Sequence, residues 1–154
     1  MNITRDKFKD IVARFPTGVT VVTTKYNSKL FGLTVNSFAS LSLDPLLVLF
    51  CINKSAGSYE AFINSEHFNV SFLSEEQQEI ATKFASGDNN KFQNIDFFQN
   101  NHGIPILKGN VAYLELKKYK SLDAGDHEII IGSPIKGDFN KEKQPLYYYN
   151  RNFL

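Results

Sequence analysis

Residues 17–35, TGVTVVTTKYNSKLFGLTV, constrain the fold of this chain more than any other segment. β-branched residues dominate the segment, and YNSK at residues 26–29 has the composition of a turn, which predicts a β-hairpin. Further strands are predicted at residues 46–52, 67–73, 110–122, 127–139 and 145–153. A chain with several long strands and few helices must protect its sheet edges, which favours a closed or nearly closed antiparallel barrel.

Short helices are predicted between the strands. Residues 4–14 have apolar side chains at three- and four-residue spacing behind Thr4, a candidate N-cap, and Pro16 is expected to end this amphipathic helix. Residues 55–65 are predicted to form a second, short helix. These elements and the strands form one continuous pattern, so residues 1–154 are expected to be a single domain.

A third helix is predicted after the strand at 67–73. Ser74 and Gln77 have the spacing of a capping box that opens a helix running to about Phe84. Residues 85–107 then lose any regular pattern, which indicates a long excursion or lid rather than part of a sheet. The continuous apolar run at 46–52 indicates instead a strand that is buried on both faces.

Composition and charge exclude several functional classes. A net charge of +1 gives the chain no field that would attract nucleic acid. Cys51 is the only cysteine, and the three histidines lack metal-ligand spacing, so no metal site is predicted. The chain shows no apolar signal peptide and no membrane span, which predicts a soluble, cytoplasmic protein.

Two polar stretches flank the predicted strand at 46–52. Residues 53–58, NKSAGS, lie where a strand gives way to a helix, whose free N–H groups and positive dipole end suit a phosphate. The alternative is that Ser55 or Ser58 simply caps the helix. Residues 34–42, TVNSFASLS, could contact a heteroaromatic edge and a polyol chain, or could form an ordinary serine-rich turn. The strand is about 25 Å long, so one ligand reaches both stretches only if residues 34–42 fold back along it.

Two further clusters lie near the C-terminus. Gly125 and Asp126 form a predicted turn that places His127 at the start of a strand, where a solvated surface histidine is the simpler interpretation. The tyrosines at 147–149 alternate along a strand, so each face carries at least one phenol. Core packing explains such a run, although Arg151 just beyond it could meet an anion.

In order and spacing, these segments resemble the short-chain flavin reductases of two-component flavin monooxygenases. The resemblance covers nearly the whole chain and is closest to the reductase components of 4-hydroxyphenylacetate and phenol hydroxylases. It is carried by RFPTGVTVVTT, GLTVNSFASLSLDPLLVLFCINKSAGS, FNVSFLSEEQ, KFASGDNNKF, GIPILKGNVAYLEL, AGDHEIIIG and PLYYYNRNF.

The resemblance implies a mainly β, FMN-binding split β-barrel of Greek-key type with a few flanking helices. It also implies a homodimer that reduces FMN or FAD with NADH or NADPH and supplies the reduced flavin to a separate monooxygenase. The partner would hydroxylate a phenolic substrate such as 4-hydroxyphenylacetate. No residue is expected to act as a side-chain catalyst, because the cofactors carry the hydride chemistry. A non-enzymatic flavin carrier on the same barrel is the alternative.

Carried over residue by residue, the resemblance places His127 and Tyr148 on the nicotinamide side. The implied flavin residues are Thr17, Thr34, Val35, Asn36, Ser37, Ser40, Leu41, Ser42, Cys51, Ile52, Asn53, Lys54, Ser55, Ser58, Phe84 and Arg151. The sequence departs from the family pattern at residues 44–46, where Asp-Pro-Leu replaces Asp-Pro-Pro, and at Asn90, where an aspartate is usual. Lys54 replaces a common arginine, which keeps the charge but loses bidentate geometry.

Overall fold

The computed structural model describes residues 2–154, and most of them lie in β-strands and connecting turns. The helices are α1 (Arg5–Val12), α2 (Tyr59–Asn64) and α3 (Gln78–Ala85), and a 3₁₀ turn at Glu75–Gln77 leads into α3. The strands are β1 (Thr17–Gly18), β2 (Thr20–Tyr26), β3 (Lys29–Val35), β4 (Ala39–Leu43), β5 (Leu46–Asn53), β6 (His67–Phe72), β7 (Phe97–Gln99), β8 (Pro105–Leu107), β9 (Ala112–Ala124), β10 (His127–Phe139), β11 (Tyr147–Tyr149) and β12 (Asn152–Phe153).

One seven-stranded antiparallel sheet forms the body of the protein, in the order β3-β2-β6-β9-β10-β5-β4. The sheet curls so that β3 also approaches β5, and its inner face surrounds a core that includes Phe50, Phe62 and Phe68. A three-stranded sheet, β1-β11-β12, and the pair β7-β8 flank it. The predicted mainly β architecture with a few flanking helices is confirmed.

The predicted hairpin at residues 17–35 is confirmed as β2 and β3. Its two-residue turn consists of Asn27 and Ser28, whose φ angles of 48° and 62° lie in the left-handed region. Such a turn matches the twist of the two strands and fixes their register, which runs from Tyr26 opposite Lys29 to Thr20 opposite Val35.

The predicted third helix is also confirmed, including its start. Gln77 Oε1 accepts a hydrogen bond from the Ser74 N–H at 3.0 Å, as a capping box requires. The expectation for residues 85–107 is wrong in part, because β7 and β8 pair there. Ile106 and Leu107 are fully buried, so the end of this segment completes the core, while residues 85–90 are exposed.

Two strand predictions are corrected. Strand β5 is not fully buried on both faces: Val48, Phe50 and Ile52 point into the core, while the alternate side chains are half-buried. The apolar run concealed this alternation because both faces carry apolar residues. Residues 145–153 form a hairpin rather than one strand, since Asn150 and Arg151 turn the chain between β11 and β12 with φ angles of 48° and 66°.

Helix α1 is confirmed, but its apolar face is uncovered. The Lys7 N–H donates to Thr4 Oγ1 at 3.3 Å, so Thr4 is the N-cap, and the helix ends at Val12, before Pro16. None of its residues is buried, and Phe8, Ile11 and Val12 are about half exposed.

The rings of His67 and His102 stack with centroids 3.9 Å apart and planes 16° from parallel. They line a cavity of about 390 Å³ beside Lys25 and the β2–β3 turn. Burial and then the charge of His102 hold the pKa of His67 below its usual 6.5; Lys117 acts in the same direction and Glu66 opposes it. Only the fold brings these rings together, because the two residues lie far apart in the sequence.

Lowering the pH from 7 to 5 is expected to reduce the melting temperature more in the wild-type protein than in a His67→Gln variant. Below pH 6.5 the unfolded chain takes up a proton that folded His67 resists, so stability is lost as the pH falls from 6.5 toward the lowered pKa. Thermal denaturation of both proteins across this range tests the expectation. Identical pH dependence in the two proteins would contradict it.

Candidate functional site

The two polar stretches that flank β5 lie side by side in the structure. Strand β4 runs antiparallel to β5, with Ala39 opposite Leu49, so residues 34–42 fold back along β5 as a shared ligand requires. Ser37 Oγ accepts a hydrogen bond from the Cys51 N–H at 2.9 Å. The first stretch is therefore largely strand rather than loop, and it reaches the end of β5 close to Asn53.

The second stretch, residues 53–58, is called here the phosphate loop after the ligand that the sequence predicts for it. Asn53 Oδ1 accepts hydrogen bonds from the Ser55 N–H at 2.8 Å and from Ser55 Oγ at 2.7 Å, which closes a tight turn. Ser58 lies directly before α2, is 8% exposed, and forms no capping hydrogen bond with its side chain. The capping alternative therefore does not hold for Ser58, whose hydroxyl is available to a ligand.

Lys54 joins the phosphate loop to the turn between β9 and β10. Its ammonium donates to Asp123 Oδ2 at 2.6 Å and to the Gly125 carbonyl at 2.7 Å. Its backbone N–H donates to the Asp126 carbonyl at 3.0 Å. The positive charge of Lys54, which the sequence suggested as a partner for a phosphate, is therefore already paired with groups of the protein itself.

His127 lies beside the phosphate loop, because β10 pairs with β5 so that His127 is opposite Asn53. Asp126 Oδ1 lies 2.7 Å from His127 Nδ1. An ionised carboxylate only accepts hydrogen bonds, so Nδ1 carries the hydrogen and Nε2 is the free ring nitrogen. This hydrogen bond, together with the charge of His127, lowers the pKa of Asp126. The His127 side chain is 42% exposed and can reach a ligand.

A second polar pair in this region was not predicted from the sequence. The Tyr59 hydroxyl donates to Glu128 Oε2 at 2.6 Å, and this hydrogen bond raises the pKa of Tyr59 to about 12. Ser121 and then Tyr59 lower the pKa of Glu128 by donating hydrogen bonds to it. No sequence motif marks this pair, since it depends on the register of β10 against β5.

Three predicted flavin residues are buried or hydrogen-bonded within the fold. Phe84 is fully buried in the core, where its ring lies against Gly32, so it does not reach the surface of the site. Ile52 is also fully buried, in β5 opposite Glu128 of β10. Thr34 Oγ1 donates to the Ala81 carbonyl at 2.7 Å, which fixes the end of β3 against α3.

Thr17, Tyr148 and Arg151 belong to the small sheet rather than to the large one. Thr17 pairs with Tyr148, and its Oγ1 is buried without a hydrogen-bond partner within residues 2–154. Arg151 Nη2 donates to Asp10 Oδ1 of α1 at 2.8 Å. The two residues predicted for the nicotinamide side, His127 and Tyr148, consequently lie on different sheets.

Of the remaining predicted residues, Val35 is buried in the core, Cys51 is half-buried in β5, and the others lie on or next to β4. Asn36 and Ser40 are exposed, Ser37 and Ser42 are half-buried, and Leu41 adds an exposed apolar side chain among them. This donor set suits an extended ligand with a planar polar ring at one end and a phosphate at the other. Residues 2–154 contain no group of three His, Cys, Asp or Glu side chains that could hold a metal ion. None of the helices described is long and apolar enough to cross a membrane.

Comparison with known proteins gives consistent matches over nearly the whole chain. The family model described as flavin reductase like domain matches residues 12–154. The reductase subunit HsaB of a flavin-dependent monooxygenase from Rhodococcus jostii is 37% identical over 147 residues, which are 96% of this chain and 75% of that protein. FMN reductase (NADH) SmoA from Agrobacterium fabrum is 37% identical over 141 residues, 92% of this chain and 80% of that protein.

The fold also matches solved structures. The NADH:FAD oxidoreductase SgcE6 from Streptomyces globisporus, solved with NAD and FAD fragments, superposes with a TM-score of 0.93 at 32% identity. The superposition covers 97% of this chain and 91% of that one, so the described residues follow its fold nearly from end to end.

Proposed function

The chain belongs to the flavin reductase like domain family, and from that premise we propose that it reduces FMN or FAD with NADH or NADPH and releases the reduced flavin to a separate monooxygenase. The adjacency of residues 34–42 and the phosphate loop along β5 carries the proposal, because it lets one flavin contact both. The names of the relatives support the flavin and the nicotinamide co-substrate, since one is an FMN reductase (NADH) and another an NADH:FAD oxidoreductase.

The flavin fits polar groups that the fold places beside β5, with the Ser55 hydroxyl exchanging its Asn53 acceptor for the phosphate. We assign the phosphate end to Ser55 and Ser58, and the ring and ribityl chain to Asn36, Ser37 and the backbone of β4. The bound flavin would supply the hydride acceptor and the nicotinamide the hydride donor, so no side-chain nucleophile is needed. The protein's own task is to hold two planar groups in contact and to exclude competing orientations.

His127 is assigned to the nicotinamide side of this site. Its Nδ1 is fixed by Asp126, and Nε2 is free to form a hydrogen bond with the carboxamide of a nicotinamide. The ring begins β10 directly opposite Asn53, so a nicotinamide held there would lie next to a flavin held by the phosphate loop. Under this proposal His127 orients the co-substrate and does not itself exchange a proton.

Anaerobic mixing tests the proposed activity. Purified protein with FMN and excess NADH should bleach the visible absorbance of oxidised flavin within turnover times, whereas flavin without protein should not. A protein that binds FMN without this bleaching would be a flavin carrier. The partner's substrate, a phenol such as 4-hydroxyphenylacetate in our proposal, is tested by coupling the reduced flavin to an oxygenase component that hydroxylates it.

We also propose that the protein works as a homodimer. A groove of about 570 Å³ lies along β10 and is lined by Leu46, Phe72 and Ile135 among others. Phe139 in this groove is 66% exposed. Leu43 on β4 pairs with the groove residue Leu46 and is 86% exposed. Apolar surface this concentrated is unusual on a monomer, and a second copy of the same face would cover it.

The double substitution Ile135→Asp and Phe139→Asp is expected to convert the dimer into monomers. Two carboxylates placed in an apolar interface would have to be desolvated without partners, which costs several kcal/mol. Light scattering after size-exclusion chromatography gives the mass, and Tyr119→Asp, on the exposed end of β9, is the control. A wild-type protein that is already monomeric would contradict the proposal.

A further inference from the structure

We infer that Lys54 is a positioning residue that fixes the His127 turn to the phosphate loop, so that it governs nicotinamide binding rather than contacting the flavin phosphate. The His127 turn is defined as residues 123–127. The inference rests on the proposed function for its ligand, but the contacts that carry it are those of this chain alone.

Lys54 holds the turn at both ends. Its ammonium binds Asp123 and the Gly125 carbonyl at 2.6 and 2.7 Å, near the start of the turn. Its backbone N–H binds the Asp126 carbonyl at 3.0 Å, at the far end. Gly125 has a φ of 65°, which glycine adopts freely and which lets the chain close tightly around the ammonium. One residue of the phosphate loop thus makes three hydrogen bonds to the turn.

The orientation of His127 depends on this attachment. Asp126 accepts from Lys54 through its backbone carbonyl and from His127 through its carboxylate, so the same residue links the loop and the ring. A change in the turn would therefore move the carboxylate that fixes the imidazole. The backbone pairing of His127 with Asn53 would remain, because the strands set it. The imidazole would therefore stay beside the phosphate loop but point in a different direction.

The charge balance argues against direct phosphate binding by Lys54. The Lys54 ammonium already faces the Asp123 carboxylate, and the Lys54 side chain is 32% exposed. A phosphate in the same place would bring its negative charge toward that carboxylate, which is unfavourable. Ser58 lies on the same loop and its side chain forms no capping hydrogen bond, so it can serve the phosphate while Lys54 holds the turn. The Ser55 hydroxyl can join it by exchanging its Asn53 acceptor for the phosphate.

Lys54→Met and Asp123→Asn are expected to have the same effect, a KM for NADH that rises about tenfold, because a small misplacement of a positioning group costs this much or more. The Kd for FMN should change by less than about twofold. The double variant should be no worse than either single variant, because the two side chains form one contact. Exposed ion pairs add little stability, so these variants should remain folded.

Hydrogen exchange of the amides at residues 123–127 provides a readout that does not depend on activity. Exchange should be faster in both variants than in the wild type, while Lys120→Met, an exposed lysine on β9, should change neither exchange nor KM. If Lys54→Met raises the Kd for FMN about tenfold and Asp123→Asn does not, Lys54 binds the phosphate and the inference fails. Unchanged exchange in both variants would overturn it as well, whatever the wild-type activity. A wild type that never oxidises NADH would refute the proposed function alone.

Discussion

Replacing Gly32 with alanine is expected to lower the free energy of unfolding by about 2–3 kcal/mol, because overpacking a filled core costs about this much. Gly32 is buried in β3, and a Cβ atom there would lie 2.4 Å from Cε1 and 2.7 Å from Cδ1 of Phe84. In a chain of this size the melting temperature should fall by roughly 5–10 °C. Thermal and denaturant unfolding measure both quantities.

The Phe84 ring has no room to retreat from this methyl group. It is fully buried and packs edge-to-face with the Phe92 ring at a centroid distance of 5.1 Å, and Phe92 Cζ itself lies only 3.2 Å from the added Cβ. Gly18→Ala is the matched control, because a Cβ at Gly18, also on a strand, meets nothing within 4 Å. Equal stability of the two variants would show that the core around Phe84 can relax.

The same contact shows how the fold packs Phe84. The sequence shows an aromatic residue near the end of a helix, and the family resemblance places such a residue beside the flavin. Here the missing side chain of Gly32 creates a space in β3 that the ring fills. Lys91 then donates to the carbonyls of both Phe84 and Gly32, at 2.9 and 3.3 Å. This packing depends on residues far apart in the chain, which no local pattern reveals.

Features that depend on neighbouring residues were predictable from the sequence. The turn at Asn27 and Ser28, the capping box of Ser74 and Gln77, and the N-cap at Thr4 each follow from side chains within a few positions. The folding back of residues 34–42 could be stated as a condition, because strand length limits the reach of one ligand.

Features that depend on register were not predictable. The contacts of Lys54 with Asp123 and of Tyr59 with Glu128 arise because β10 pairs with both β9 and β5, which places the β9–β10 turn beside the phosphate loop. A one-residue change of register would reverse which side chains face each other, and the sequence alone does not fix it. The sequence shows the charge of Lys54, but it does not show that Asp123 is its partner.

Ser58→Ala is expected to weaken FMN binding by about ten- to a hundredfold, because a hydrogen bond to a charged group contributes roughly 1.5–3 kcal/mol. The Ser58 side chain caps nothing in the structure, so the substitution should leave the melting temperature nearly unchanged. Fluorescence titration of FMN gives the Kd. Riboflavin, which lacks the phosphate, should bind the variant and the wild type equally well.

Ser65→Ala is the matched control, since Ser65 is equally buried and follows the other end of α2. Its hydroxyl donates to the Ala61 carbonyl at 2.6 Å, so removing it should cost about 1 kcal/mol of stability and leave the Kd for FMN unchanged. Ser58→Ala should therefore weaken FMN binding without lowering stability, and Ser65→Ala should lower stability without weakening FMN binding. If Ser58→Ala weakens riboflavin and FMN equally, the serine contacts another part of the flavin, and the phosphate end must lie elsewhere along β5.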